Sequence, residues 1–380
     1  MTSGSPAVDE AYFSSLAQPA IRQLRAYDPG HDLVALRRAA APEWLVELGS
    51  NENPYGPSPR VREALMGVLG DLHRYPDPLG SDLKRALSAK HAVDVAQIML
   101  GNGSHELLMQ LAQVFAGPGV DVVMSQFGFA VFSIATQAVG ATARIAPALP
   151  RDATMPRGHD LDAILAAITP ATRLVYLANP NNPTGTWFSR DAFADFIARV
   201  PRDVVVVVDE AYAEVADAPD FASALPLLGA YPNLVVTRTF SKAYALAGLR
   251  IGYAIAHPGL AAVLERVRES FNLNAAALAA AEAALGDEDH LRSTTARNAE
   301  QRALLAQALL ERGWRVSPSQ TNFLLVDFGS RTASIEAGLL AAGVVLRPMG
   351  GYGLPECLRI SIGDAGENRR LITALDGIVA

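Results

Sequence analysis

The sequence predicts an α/β protein: a large unit built on a mostly parallel central sheet, followed by a smaller α+β unit. Three observations carry that prediction. Short β-rich runs alternate with helical patterns from about residue 97 to 256. One of these runs, VVVVV at 204–208, shows no polar alternation, as expected of a strand buried on both faces. Beyond about 258 the texture changes to long Ala/Leu/Glu/Arg-rich helices and then to short strands.

In chain order, residues 1 to about 15 read as a loose arm. The strands of the first unit are expected at 97–100, 120–125, 141–146, 173–178, 204–208, 234–239 and 251–256. Helices are expected between most of them, at 103–116, 129–138, 160–168 and 189–199. Two long helices, 258–285 and 289–312, lead to strands at 322–327, 344–347 and 357–362 and a last helix. The expected division is an N-terminal arm with part of the small unit (1–40), a large unit (41–265) and a small C-terminal unit (266–380). No internal repeat interrupts this order.

Bulk properties narrow the function. The 380 residues are 50% hydrophobic and 19% charged, enough for a large core. A net charge of −7 without any Lys/Arg-rich run argues against nucleic-acid binding. The single cysteine, Cys357, excludes an intrachain disulfide and a cysteine-cluster metal site, and no metal is expected. The start, MTSGSPAVDE, lacks the basic and apolar regions of a signal peptide. The longest apolar runs are too short or too broken to span a bilayer, so a soluble cytoplasmic protein is expected.

In open α/β sheets, ligands gather at the carboxyl ends of strands, so the residues expected there carry the chemistry. LGNGSHELLMQL puts Gly101, Gly103 and Ser104 between a strand and a helix. Such a turn can aim backbone N–H groups at an anion, or be an ordinary strand-to-helix turn. ANPNNPTG, 178–185, is dense in turn formers and can present an asparagine amide to a ligand oxygen. Asp209 ends the wholly apolar strand, either as a cap or as a buried carboxylate that needs a cationic partner. Tyr212 follows three residues later. Lys242 and Arg250 stand in TFSKAYALAGLRIGY. A lysine at a strand end can simply reach for water. Buried, it acquires a depressed pKa and can form a Schiff base with an aldehyde. A cofactor with an aldehyde, a phosphate and a pyridine nitrogen would use all of these groups, and pyridoxal phosphate is such a cofactor.

GNGS, NPNNPTG, DEAY, SKAYALAGLRIGY and LRISIG also occur in the order and spacing of the class I/II aminotransferases of pyridoxal phosphate fold type I. The resemblance spans nearly the whole chain and implies an aspartate-aminotransferase-like fold. LRAYDPG, SNENPYGPSP, RYPDPLGSDLKRAL and VVLRPMGGYGLPECLRISIG make the sequence most similar to the histidinol-phosphate aminotransferase branch.

The resemblance implies a role for each matching residue. Lys242 would hold the cofactor covalently and then carry a proton between substrate and cofactor. Asp209 would pair with the pyridinium nitrogen. Asn182 and Tyr212 would hydrogen-bond the ring oxygen, and Asn182 would also border the substrate. Backbone N–H groups near Gly103, Ser104 and His105, with Ser241 and Arg250, would hold the phosphate. Phe129 would stack on the ring, and Tyr55 would reach across a homodimer interface to the neighbour's phosphate. Arg359 would grip the substrate α-carboxylate, while Arg347 and Tyr27 would hold the phosphate end of histidinol phosphate. Two departures are visible: His105 stands where relatives often carry an acid, and SQFGFAVF lacks the common Pro-Thr before the stacking aromatic.

The expected reaction converts histidinol phosphate and 2-oxoglutarate to imidazole-acetol phosphate and glutamate, as a step of histidine biosynthesis. Its rivals are an aminotransferase for phenylalanine or tyrosine, a decarboxylase of a phosphorylated amino acid, and a non-catalytic regulator. The retained lysine, aspartate and arginines argue against the last.

Overall fold

A computed structural model describes residues 10–26, 30–39 and 45–379. Among the described residues, thirteen strands form three sheets. β1 (Val46–Glu47) pairs in parallel with β11 (Val344–Val345). The main sheet comprises β2 (Ile98–Gly101), β3 (Asp121–Ser125), β4 (Thr142–Ala146), β5 (Thr172–Ala178), β6 (Val205–Asp209), β7 (Leu234–Thr239) and β8 (Gly252–Ala256). Its order is β2-β8-β7-β6-β5-β3-β4. The third sheet, in order β12-β13-β10-β9, is antiparallel and uses β9 (Arg315–Val316), β10 (Phe323–Asp327), β12 (Arg347–Pro348) and β13 (Cys357–Ser361).

Within the main sheet β3 to β7 are mutually parallel, and β8 is antiparallel to both of its neighbours. β2 therefore points the same way as β3–β7. The carboxyl ends of β2, β5, β6 and β7 lie along one edge, and the motifs that follow those strands lie there with them.

Burial explains why VVVV forms a central strand. Val206 and Val208 enter the core on one face of the sheet, and Val205 and Val207 enter the core on the other. Each such side chain contributes about 1.5–3 kcal/mol when fully buried. A third core, with Leu324, Val326, Leu358 and Ile360, backs the small sheet and takes in Val46 and Leu48 from far up the chain.

The expected helix over 258–285 is instead two helices, Pro258–Leu264 and Ala275–Leu285. Phe271 between them has φ +57°, which no continuous helix accommodates. Arg268 is drawn off to Glu265 and Asn272, and Asn274 caps the second helix through Ala277 N at 2.7 Å. The expected loose arm includes a short exposed helix, Glu10–Leu16. Two helices not among those expected, Pro59–Val68 and Ser81–His91, pack against Ala275–Leu285.

A buried ion cluster ties the segment after β4 to the small sheet. Arg157 Nη2 donates to Asp327 at 3.0 Å and to Glu356 at 2.7 Å, and Arg151 Nε donates to Asp327 at 2.9 Å. Asp327 ends β10 and Glu356 immediately precedes β13, so the cluster links both strands to the segment after β4. No helix among the described residues is long and apolar enough to cross a membrane.

Candidate active site

A cavity of about 300 Å³ opens at the carboxyl edge of the main sheet. Ser104, His105, Phe129, Asn182, Asp209, Tyr212, Ser241, Lys242, Arg250 and Arg359 all line it. These residues come from five strand ends and from the small sheet, and only the strand order brings them together.

Asp209 ends β6, with Ala178 and Thr237 as its cross-strand partners. Thr237 Oγ1 donates to Asp209 Oδ1 at 2.8 Å. Burial pushes the carboxyl from 3.8 up to about 6, with the charge of Glu210 adding; Thr237 and Lys242 pull the other way. A buried carboxylate that stays raised despite Thr237 and Lys242 suits a closer cationic partner.

Lys242 follows β7. Burial lowers its ammonium to about 8, helped by Arg359 and Arg250 and opposed by Glu52 and Asp209. Nζ donates to Asn51 O at 3.1 Å and to Ser50 O at 3.4 Å, and lies 5.9 Å from the centre of the Tyr212 ring. Asn53 Nδ2 donates to Ala243 O at 3.0 Å and so anchors the chain next to the lysine. The Tyr212 hydroxyl, raised well above its ordinary pKa mainly by burial, accepts from Asn51 Nδ2 at 3.0 Å.

The glycine turn expected to face an anion leads into the helix Ser104–Phe115. Gly103, at φ +80° and ψ 163°, occupies a region open essentially to glycine alone. A Cβ there would sit 2.5 Å from Arg250 Nη2, and one on Gly252 would sit 2.5 Å from Ser104 N. Both glycines thus let backbone and guanidinium close around one small space. Arg250, itself at φ +57°, donates from Nη1 to Ser241 Oγ at 3.3 Å and to Ala247 O at 3.0 Å.

Arg359 donates from Nη1 to Asn182 Oδ1 and from Nη2 to Gly49 O, both at 2.8 Å, with its guanidinium over the Phe323 ring. The oxygen of Asn182 being committed to Arg359, its NH₂ end is the part that can donate to a ligand. Arg347 is the direct cross-strand partner of Arg359, so the two side chains share one face of the small sheet. Arg347 lines a neighbouring cavity of about 650 Å³ with Tyr352 and Phe129, and Phe129 borders both cavities. Gly30, at φ +89°, lies against the Arg347 guanidinium, where any side chain would collide.

Tyr55 lies outside the main cavity, with the Arg297 guanidinium 5.4 Å from its ring centre. Tyr27 lies outside the described residues. Asn51 and Asn322, by contrast, are not evident from the sequence, although Asn51 lies within SNENPYG beside Tyr55.

The donor set suits pyridoxal phosphate. A near-neutral buried amine can meet its aldehyde, a buried carboxylate its ring nitrogen, and the glycine cradle with Ser241 and Arg250 its phosphate.

Comparison with known proteins agrees with this geometry. The family model described as aminotransferase class I and II matches residues 43–375. The chain is similar to histidinol-phosphate aminotransferase 2 of Pseudomonas aeruginosa, at 47% identity over 97% of this chain and 99% of that protein. It is 46% identical to histidinol-phosphate aminotransferase 2 of Methylococcus capsulatus, over 96% of this chain and 99% of the relative. Among solved structures, histidinol-phosphate aminotransferase of Sinorhizobium meliloti in complex with pyridoxal-5'-phosphate superposes with a TM-score of 0.87 at 34% identity. That match covers 96% of this chain and 98% of the other.

Proposed function

The chain belongs to the class I and II aminotransferases, and from that premise we propose that it transfers the amino group of histidinol phosphate to 2-oxoglutarate, giving imidazole-acetol phosphate and glutamate. The observation that carries the substrate choice is the cross-strand pairing of Arg347 with Arg359. Such a transaminase must accept a carboxylate and a phosphate in turn, and two guanidiniums on one wall suit that alternation. Near full-length likeness to histidinol-phosphate aminotransferases supports the same reading.

Pyridoxal phosphate, when bound, supplies an aldehyde carbon to carry the amino group and a protonated ring to take up electron density. The chain's own residues do the rest. Lys242, titrating at about 8, is partly neutral at working pH and serves both as nucleophile and as proton carrier. Asp209 would keep a proton on the ring nitrogen. The NH₂ of Asn182 and the hydroxyl of Tyr212 would donate to the ring oxygen, and Phe129 would pack on the ring. Ser104, His105, Ser241 and Arg250 would hold the phosphate. Arg359 takes the carboxylate of glutamate, and Arg347, with Tyr27, the phosphate of the second substrate.

In this reading the enzyme is a cytoplasmic homodimer, and Tyr55 completes the partner's phosphate site. The exposed apolar side chains of Met66, Leu69, Leu72, Tyr75 and Leu79 support a covered surface in that part of the chain.

The test is a comparison of histidinol phosphate with phenylalanine as amino donor, each with 2-oxoglutarate. Histidinol phosphate should turn over faster; faster turnover of phenylalanine would refute the substrate assignment.

A further inference from the structure

The segment 49–53 crosses the site, and three of its carbonyls accept hydrogen bonds from Arg359 and Lys242. Gly49 O accepts from Arg359, Ser50 O from Lys242, and Asn51 O from both Lys242 (3.1 Å) and Asn322 Nδ2 (2.9 Å). Asn51 is only 1% exposed and sits at φ +53°, a conformation asparagine tolerates better than other residues with a side chain. Its amide donates to Tyr212 Oη at 3.0 Å, and its backbone N–H donates to Ser361 Oγ at 2.7 Å, two residues beyond Arg359. One buried residue therefore touches the lysine, the tyrosine and the strand that carries Arg359.

Resting on the transaminase reading above, we propose that Asn51 is a positioning residue of the reaction. Its carbonyl holds the Lys242 amine whenever that amine is not bonded to the cofactor, and its side-chain amide holds the Tyr212 hydroxyl as a donor toward the cavity. The physical need is plain on both sides. A released lysine amine hangs on a flexible stem, and proton transfer requires it within about 3 Å of its target. Two carbonyl acceptors confine it beside the cavity. A phenol that accepts a hydrogen bond from Asn51 keeps its own O–H for another acceptor, and its donation is strengthened by the bond it accepts. The charged and titratable groups that act on Lys242 and Tyr212 are Asp209, Glu52, Arg250, Arg359 and Tyr352.

Asn51→Gly removes the amide while keeping the carbonyl in a backbone conformation that glycine adopts freely. Asn51→Ala removes the amide and also strains the backbone that aims the carbonyl. Both are compared with Tyr212→Phe and with the double variant Asn51→Gly/Tyr212→Phe, each loaded with pyridoxal phosphate. The pH midpoint of the cofactor's visible band is read alongside kcat and KM. A weakened phenol donor stabilises the anionic ring oxygen less, so Asn51→Gly should raise the midpoint by about half to one pH unit. It should lower kcat by about tenfold with KM little changed, as loss of one hydrogen-bond's worth of positioning predicts. In the Tyr212→Phe background the same change should move the midpoint no further. Asn51→Ala should lose more kcat than Asn51→Gly. In the cofactor-free protein, the double variant should melt no lower than the less stable single variant.

An unshifted midpoint in Asn51→Gly, or an equal shift with and without the tyrosine hydroxyl, overturns the amide's role. Equal kcat in the glycine and alanine variants overturns the carbonyl's role. Additive losses of melting temperature overturn the link between Asn51 and Tyr212. A parent protein that takes up pyridoxal phosphate without forming any visible band overturns the functional reading itself, and this proposal with it.

Discussion

Replacing Asp209 by Asn should damage the enzyme and stabilise its cofactor-free fold, both for the same reason. The carboxyl is buried and raised from 3.8 to about 6 even though Lys242 and Thr237 pull it down. At 1.36 kcal/mol per pH unit, holding it charged at neutral pH costs the fold roughly 3 kcal/mol. A folded pKa above the unfolded one means that the folded chain binds the extra proton between about pH 4 and 6. Stability is therefore highest on the acid side and is lost as pH rises through that window. Asn keeps the shape and can still accept from Thr237 Oγ1, but it carries no charge. Urea unfolding of the cofactor-free proteins at pH 7.5 should show Asp209→Asn more stable by about 3 kcal/mol, with the difference gone below pH 4. With pyridoxal phosphate the order should reverse, because removing one partner of a buried charge pair costs about 3–5 kcal/mol. In kcat/KM that is a loss of roughly 10²–10⁴-fold. A cofactor-free variant no more stable than the parent at pH 7.5, or a variant within tenfold of parental kcat/KM, would refute the assignment of Asp209 as the buried partner of a cationic ring.

Two further outcomes test the walls of the site. Arg347→Ala should raise the KM for histidinol phosphate about 10–100-fold, the value of one charge-assisted hydrogen-bonding group, and leave the glutamate half-reaction within a factor of about three. Arg359→Ala should impair the glutamate half-reaction as well, and single-turnover absorbance with each substrate separates the two. Gly103→Ala should weaken pyridoxal phosphate binding about 10–100-fold in a fluorescence titration, because its backbone region costs other residues about 1–3 kcal/mol and its methyl would press on Arg250.

Much of the main sheet was legible because its signals are local. A strand buried on both faces must be apolar at every position, as in VVVVV, and glycine or proline punctuation marks where each strand stops. The expected strand at 234–239 and the observed β7 coincide, and the others differ by a residue or two at their ends. The helix expected over 258–285 failed for an equally local reason: its Ala/Leu texture outweighed the Asn272–Asn274 cap signal in the middle. Site chemistry was legible where the chain repeats a known motif in order, from Gly103 to Arg359.

The sequence by itself determined which residue types are present and where strands turn into loops: an amine at 242, a carboxylate ending an apolar strand at 209, a glycine-flanked helix start at 103. Tertiary structure alone decided that these share one cavity, because strand order is set by pairing between segments that lie far apart in the chain. Periodicity carries no trace of β8 running antiparallel between β2 and β7, of Arg347 facing the same side as Arg359, or of the carbonyl of Asn51 meeting the amine of Lys242. Each of those depends on a hydrogen bond or register between distant residues, and local pattern does not encode it.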